Sequence, residues 1–218
     1  MAHEKILILE STWAEEADEY LTDTSSSSRV YRALEVMTST QDHPITTVVR
    51  PLLRARFERD LRGFAQLPAN SGGNNVVVLC GHGRLDEVKG GKRKKKVKRR
   101  RVLEAYDGDL DLDKGMKALA EDGVLERSII ILDSCDVGDS PKKFRRKCGA
   151  LGVIAFQETV DWTDSSVFVL GLLLHFMEDG VFHLKRRSSA RPRRALESMM
   201  DGAYGSMAKA LGVAQAWA

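Results

Sequence analysis

Short runs of β-branched and aliphatic residues alternate along this chain with stretches of helical periodicity, a pattern that predicts a mostly parallel α/β sheet. Lys5 to Glu10 reads as a first buried strand. Arg29 to Thr38 carries Val30, Leu34 and Met37 at helical spacing and reads as an amphipathic helix, stopped at His43-Pro44. Ile45 to Val49 is a second strand closed by Pro51, and Leu53 to Leu67 returns to helical spacing through Phe57, Leu61 and Phe64. Two further runs, Val76 to Cys80 and Ile129 to Leu132, contain no polar residue at all, as expected of parallel strands covered on both faces. Gly152 to Val160 is another strand, Thr163 to Met177 an apolar helix, and Arg191 to Leu211 a helix interrupted at Gly202 and Gly205.

The alternation breaks once, between Arg84 and Asp113. There Val102 to Tyr106 and Leu110 to Leu112 flank Asp107-Gly108, which signals a hairpin. A helix over Lys114 to Asp122 follows it, and another runs from Pro141 to Lys147 with Gly149 at its end. The predicted architecture is a three-layer α/β/α sandwich with a small hairpin insertion.

The two most apolar strands end in reactive side chains. One runs into Cys80-Gly81-His82-Gly83, the other into Asp133-Ser134-Cys135. Side by side in a parallel sheet, they would present His82 and Cys135 at the same carboxyl edge, where open α/β sheets place their ligands. A thiol beside an imidazole is the minimum equipment for nucleophilic acyl transfer. Cys80 and Cys148 read instead as small buried apolar residues. His3, His43, His175 and His183 have no comparable strand-end position.

On these residues the chain resembles the caspase-like cysteine peptidases, the broad group that includes metacaspases and CHAT-domain proteases. An apolar strand ending in His-Gly and a second ending in Asp-x-Cys are both present, separated by fifty-three positions from His82 to Cys135; about fifty residues are expected in that order. The resemblance implies a Cys135 nucleophile with His82 as general acid and base, and an oxyanion hole from the backbone N–H groups of Gly83 and Cys135. It implies that Asp133 lines a pocket for an arginine or lysine side chain, and that Asp161 and Trp162 belong to a substrate-binding loop. No cofactor is required by the sequence, although calcium dependence is a property the resemblance allows. Limited proteolysis of a partner protein in defence or cell death is the role it implies.

Composition adds one feature. The chain of 218 residues is 43% hydrophobic and 30% charged, ordinary for one globular domain. From Lys89 to Arg101 ten of thirteen positions are basic, so the net charge of +3 leaves the rest of the chain at about −7. The run includes Lys92, Arg93, Lys94, Lys95, Lys96, Lys98, Arg99, Arg100 and Arg101 and reads as a mobile loop. It offers either a self-cleavage site for an enzyme of basic specificity or a contact for nucleic acid or anionic membrane, without the interleaved aromatics that base stacking wants. An interaction module of attenuated caspase-like or of flavodoxin-like fold, binding polyanions through this run, is the alternative to a peptidase. Three cysteines give no disulfide framework, and no apolar stretch approaches a membrane span. A cytoplasmic peptidase acting on protein substrates, with an activating partner supplying regulation, is the expectation.

Overall fold

The computed structural model describes residues 3–11, 27–39, 45–67, 74–88, 98–183 and 188–218. A six-stranded sheet forms the centre, built from β1 (His3–Glu10), β2 (Ile45–Pro51), β3 (Asn75–Cys80), β7 (Ser128–Asp133), β8 (Gly152–Phe156) and β9 (Val213–Trp217). Its order is β2-β1-β3-β7-β8-β9, parallel except for β9, which runs antiparallel to β8.

Alternate residues of each strand feed two separate cores, because successive strand side chains point to opposite faces. Ile6, Ile8, Val76, Val78, Ile129 and Ile131 pack under α1 (Ser27–Tyr31), α2 (Ala33–Thr38), α6 (Trp162–Glu178), α7 (Ala190–Asp201) and α8 (Gly205–Ala210). Leu7, Leu9, Val77, Leu79, Ile130 and Leu132 pack under α3 (Phe57–Ala65), α4 (Leu112–Glu121) and α5 (Pro141–Cys148). Every residue of β3 and β7 is buried. At about 1.5–3 kcal/mol for each large aliphatic side chain, these two strands are costly to move, and they carry the candidate chemistry.

The insertion is larger than the sequence suggests. A second, antiparallel sheet of order β4-β5-β6 is formed by β4 (Gly83–Val88), β5 (Lys98–Ala105) and β6 (Gly108–Asp111). The Asp107-Gly108 turn stands where expected, with Ala105 paired to Gly108. Lys98 to Arg101, predicted as part of a mobile loop, are instead the first half of β5. Arg100 is met across the ladder by Asp86 at 2.6 Å and Asp111 at 3.9 Å, and the neighbouring Arg84 bridges Asp86, Glu104 and Asp109. Lys92, Arg93, Lys94, Lys95 and Lys96 lie outside the described residues.

Two other expectations need correction, and one further strand has no counterpart in the sequence pattern. The helix over 29–38 is two helices broken at Arg32, which turns the apolar stripe so that Tyr31 and Leu34 are buried while Met37 is half exposed. The strand expected over 152–160 stops at Phe156, leaving Gln157 to Asp161 as a loop. Residues 213–217 form β9, an edge strand that the hydrophobic pattern does not signal.

Candidate active site

In the register of the sheet, Glu10 pairs with Cys80 and Cys80 pairs with Asp133, so three parallel strands end level. His82 and Cys135 each lie two residues beyond that line, past the ends of adjacent strands. The two exits are tied together: the Gly81 N–H donates to the Asp133 carbonyl at 3.3 Å. Gly81 takes φ +134°, a left-handed value that suits glycine, as the chain turns toward His82. Gly83 then passes so close to the other exit that a Cβ there would collide with Ser134 Oγ and stand 2.9 Å from the Cys135 carbonyl oxygen. A side chain at this position has no room.

The Cys135 thiol is half-buried and held by the loop between β8 and α6. The Val160 N–H donates to Sγ at 3.4 Å, and the thiol faces the Val160 carbonyl at 3.6 Å. Burial pushes this thiol above its ordinary range; the Val160 N–H opposes that, and the charges of Asp136 and Asp133 reinforce it. Cys135 is therefore a thiol rather than a thiolate at neutral pH, and needs a base at the moment of attack. Cys80 and Cys148 are both buried, and burial raises Cys148 to about 11.

Asp133 belongs to the same strand face as Ile129 and Ile131, and the alternation carries it under α1 and α6, where it is fully buried. Tyr31 donates its hydroxyl to Asp133 Oδ2. Burial raises the carboxyl group above its usual range, against the donors of Ser165, Tyr31, Ser27 and Cys80. Oδ1 has no hydrogen-bond partner in good geometry among the described residues. Sequence reasoning did not identify Tyr31 or Ser27; both lie on a short helix that only the folded chain brings over the end of β7.

Asp161 and Trp162 directly follow Val160, whose backbone meets the Cys135 thiol. Asp161 caps α6, accepting from the Thr163 N–H at 2.7 Å, which accounts for the residue without reference to a ligand. Trp162 is half-buried, packed against the α6 core. A cleft of about 430 Å³ opens beside the segment following Cys135, lined by Leu85, Glu87, Arg99, Asp136, Asp139 and Gln157. Its three carboxylates outnumber its one cation. Two larger clefts lie along α4, away from Cys135. Among the described residues no three His, Cys, Asp or Glu side chains are grouped to hold a metal ion. No described helix is long and apolar enough to cross a membrane.

No family model matches the sequence, and no curated protein matches it. Solved structures do. A secreted C11 cysteine protease from Bacteroides thetaiotaomicron, determined in complex with an irreversible peptide inhibitor, aligns at a TM-score of 0.50 and 10% identity, over 94% of this chain. A structural-genomics protein of Geobacter sulfurreducens aligns at a TM-score of 0.46 and 13% identity, over 99% of this chain and 92% of its own. The chain spans 60% of the length of the C11 protease. With the parallel sheet, its two helical layers and the strand order in place, the likeness shows that this chain has a caspase-like α/β/α fold.

Proposed function

We propose that this protein is a caspase-like cysteine peptidase in which Cys135 is the nucleophile and His82 the general acid and base. The observation that supports this reading is the level ending of β3 and β7, past which each chain runs two residues further to His82 and to Cys135, with Gly83 against Cys135. As Sγ bonds to the scissile carbonyl carbon, the thiol proton passes to the His82 imidazole and the carbonyl oxygen becomes an oxyanion. The N–H groups of Gly83 and Cys135 take that oxygen, a contribution of about 3–4 kcal/mol in related chemistry. The C–N bond then breaks, His82 returns the proton to the leaving amine, and water hydrolyses the thioester.

Specificity for arginine or lysine before the scissile bond is part of the proposal. Asp133 is the residue assigned to it: a fully buried carboxyl group two residues before the nucleophile, whose Oδ1 lacks a hydrogen bond in good geometry among the described residues and which would take a cation only on giving up the proton that burial favours. Because Tyr31 closes over this carboxylate, a basic side chain reaches it only if α1 gives way. The acidic lining of the neighbouring cleft favours the same class of peptide. The self-cleavage reading then narrows to residues 89–97, since Arg99 to Arg101 are held in β5. For the polyanion-binding alternative, Arg100 is already engaged by Asp86 and Asp111.

The test is cleavage of a peptide library varied at the residue before the scissile bond, by wild type, Cys135→Ala and His82→Ala, with and without calcium. Cleavage after Arg or Lys that both substitutions abolish is expected. Absence of thiol-dependent cleavage in every condition sinks the peptidase; cleavage after other residues removes Asp133 from the pocket alone.

A further inference from the structure

The last residue of the basic run is not on the surface. Arg101 is 5% exposed, and its guanidinium grips the segment that follows Cys135. Nε donates to the Val137 carbonyl at 2.9 Å, Nη2 donates to the Asp139 carbonyl, and Nη1 pairs with Asp113 at 3.1 Å. The cation also lies 4.8 Å from the centre of the Phe144 ring. A planar fork with donors fixed in direction suits two carbonyls and a carboxylate at once; an ammonium does not.

The segment it grips needs holding. Asp136 has φ +56° and Ser140 φ +50°, a left-handed conformation that L side chains enter at a cost. On the other side, the Gly138 N–H donates to the Phe156 carbonyl at 2.7 Å, and a Cβ at Gly138 would overlap that oxygen. The backbone just after Cys135 is thus clamped between β5 and the end of β8. β5 also holds the other catalytic candidate, for the Glu104 N–H donates to the His82 carbonyl at 3.0 Å. One strand spans both exits.

We propose that Arg101 is a positioning residue, fixing Cys135 relative to His82 by anchoring the Val137–Asp139 backbone to the strand that holds the histidine. The proposal rests on the reading of Cys135 and His82 as the catalytic pair. It also explains the insertion, since the three-stranded sheet is then the part that sets the distance between nucleophile and base. Arg101 is thereby taken out of any self-cleavage site.

Two measurements on Arg101→Met and Arg101→Lys test it. Peptide hydrolysis by Arg101→Met should lose about 10–100-fold in kcat with KM little changed, the scale of a displacement of about 1 Å, and the lysine variant should recover part of the loss. Iodoacetamide labelling, read residue by residue by mass spectrometry across pH, should move the other way. Released from the clamp, Cys135 becomes more exposed, and its alkylation at neutral pH speeds up while Cys80 and Cys148 stay unmodified. Wild-type kcat together with a wild-type alkylation profile in both variants overturns the proposal. If Arg101→Met does not fold, the lysine variant carries the test. If wild type hydrolyses no peptide, the peptidase reading fails and the alkylation profile alone decides the role of Arg101.

Discussion

Gly83 packs directly on Cys135: a Cβ added to the glycine would lie 2.9 Å from the carbonyl oxygen of the cysteine and closer still to Ser134 Oγ. The residue after the candidate base and the candidate nucleophile are therefore in contact through backbone, and neither strand exit can shift without the other. Gly83→Ala is expected to displace the Ser134–Cys135 turn, because the atoms it meets include main chain rather than only the ends of long side chains. A loss of about 1–3 kcal/mol and loss of most peptidase activity should follow, read by denaturant titration and by peptide cleavage on the same preparation.

The three thiols differ in environment, and one labelling experiment separates them. Cys80 and Cys148 are buried with thiols raised above the ordinary range, whereas Cys135 is half-exposed. Iodoacetamide at neutral pH should modify Cys135 alone in the folded chain and all three cysteines after denaturation. Because burial also raises Cys135, its labelling should be slower than that of an unfolded peptide thiol at the same pH and should keep rising into the alkaline range. Rapid labelling of Cys80 in the native protein would contradict this arrangement.

Asp133 makes stability depend on pH in a stated direction. Its carboxyl group is raised in the folded chain, chiefly by burial, so the native state holds a proton that the unfolded chain releases at roughly pH 4. That preference is fully present below the unfolded value and is lost as pH rises through the raised one. Asp133→Asn removes the charge that burial opposes. The variant should gain in Tm relative to wild type at pH 8 and gain little or nothing near pH 4, in thermal melts across that range.

Tyr31 supplies the hydroxyl that the buried Asp133 Oδ2 accepts. Tyr31→Phe leaves that oxygen without this donor, at a cost of about 1–3 kcal/mol. At a pH where Asp133 is ionised, the same substitution should cost less in the Asp133→Asn background, because a neutral amide oxygen left unpaired is less unfavourable than a carboxylate. Denaturant titration of the four proteins gives the coupling, and additive effects would mean that the two side chains do not interact.

The order of strands and helices was legible in the sequence because burial on both faces leaves uninterrupted apolar runs, and because Pro, Gly and Asp punctuate them at caps and turns. Pro141 opens α5, Gly149 ends it with φ +67°, and Asp161 caps α6. Less legible were β4 and β5. Their residues are mostly charged, and a strand whose charges are cancelled across a ladder looks from the sequence like a solvated loop. β9 was hidden for a related reason: as an edge strand it is only partly buried, and its pattern carries little signal.

His82 and Cys135 could be named from the sequence alone, since an apolar strand ending in a reactive side chain is a local pattern. Their neighbourhood could not. That Cys80 and Asp133 are level, that Gly83 lies on Cys135, that Tyr31 covers Asp133, and that Arg101 holds the backbone beyond the nucleophile are all consequences of strand register and helix placement. Contacts between residues 36 or 102 positions apart are decided by how two cores pack against one sheet, and no local spacing encodes that. The chain's sequence determined which side chains leave the sheet edge; the packed structure decided what each of them meets.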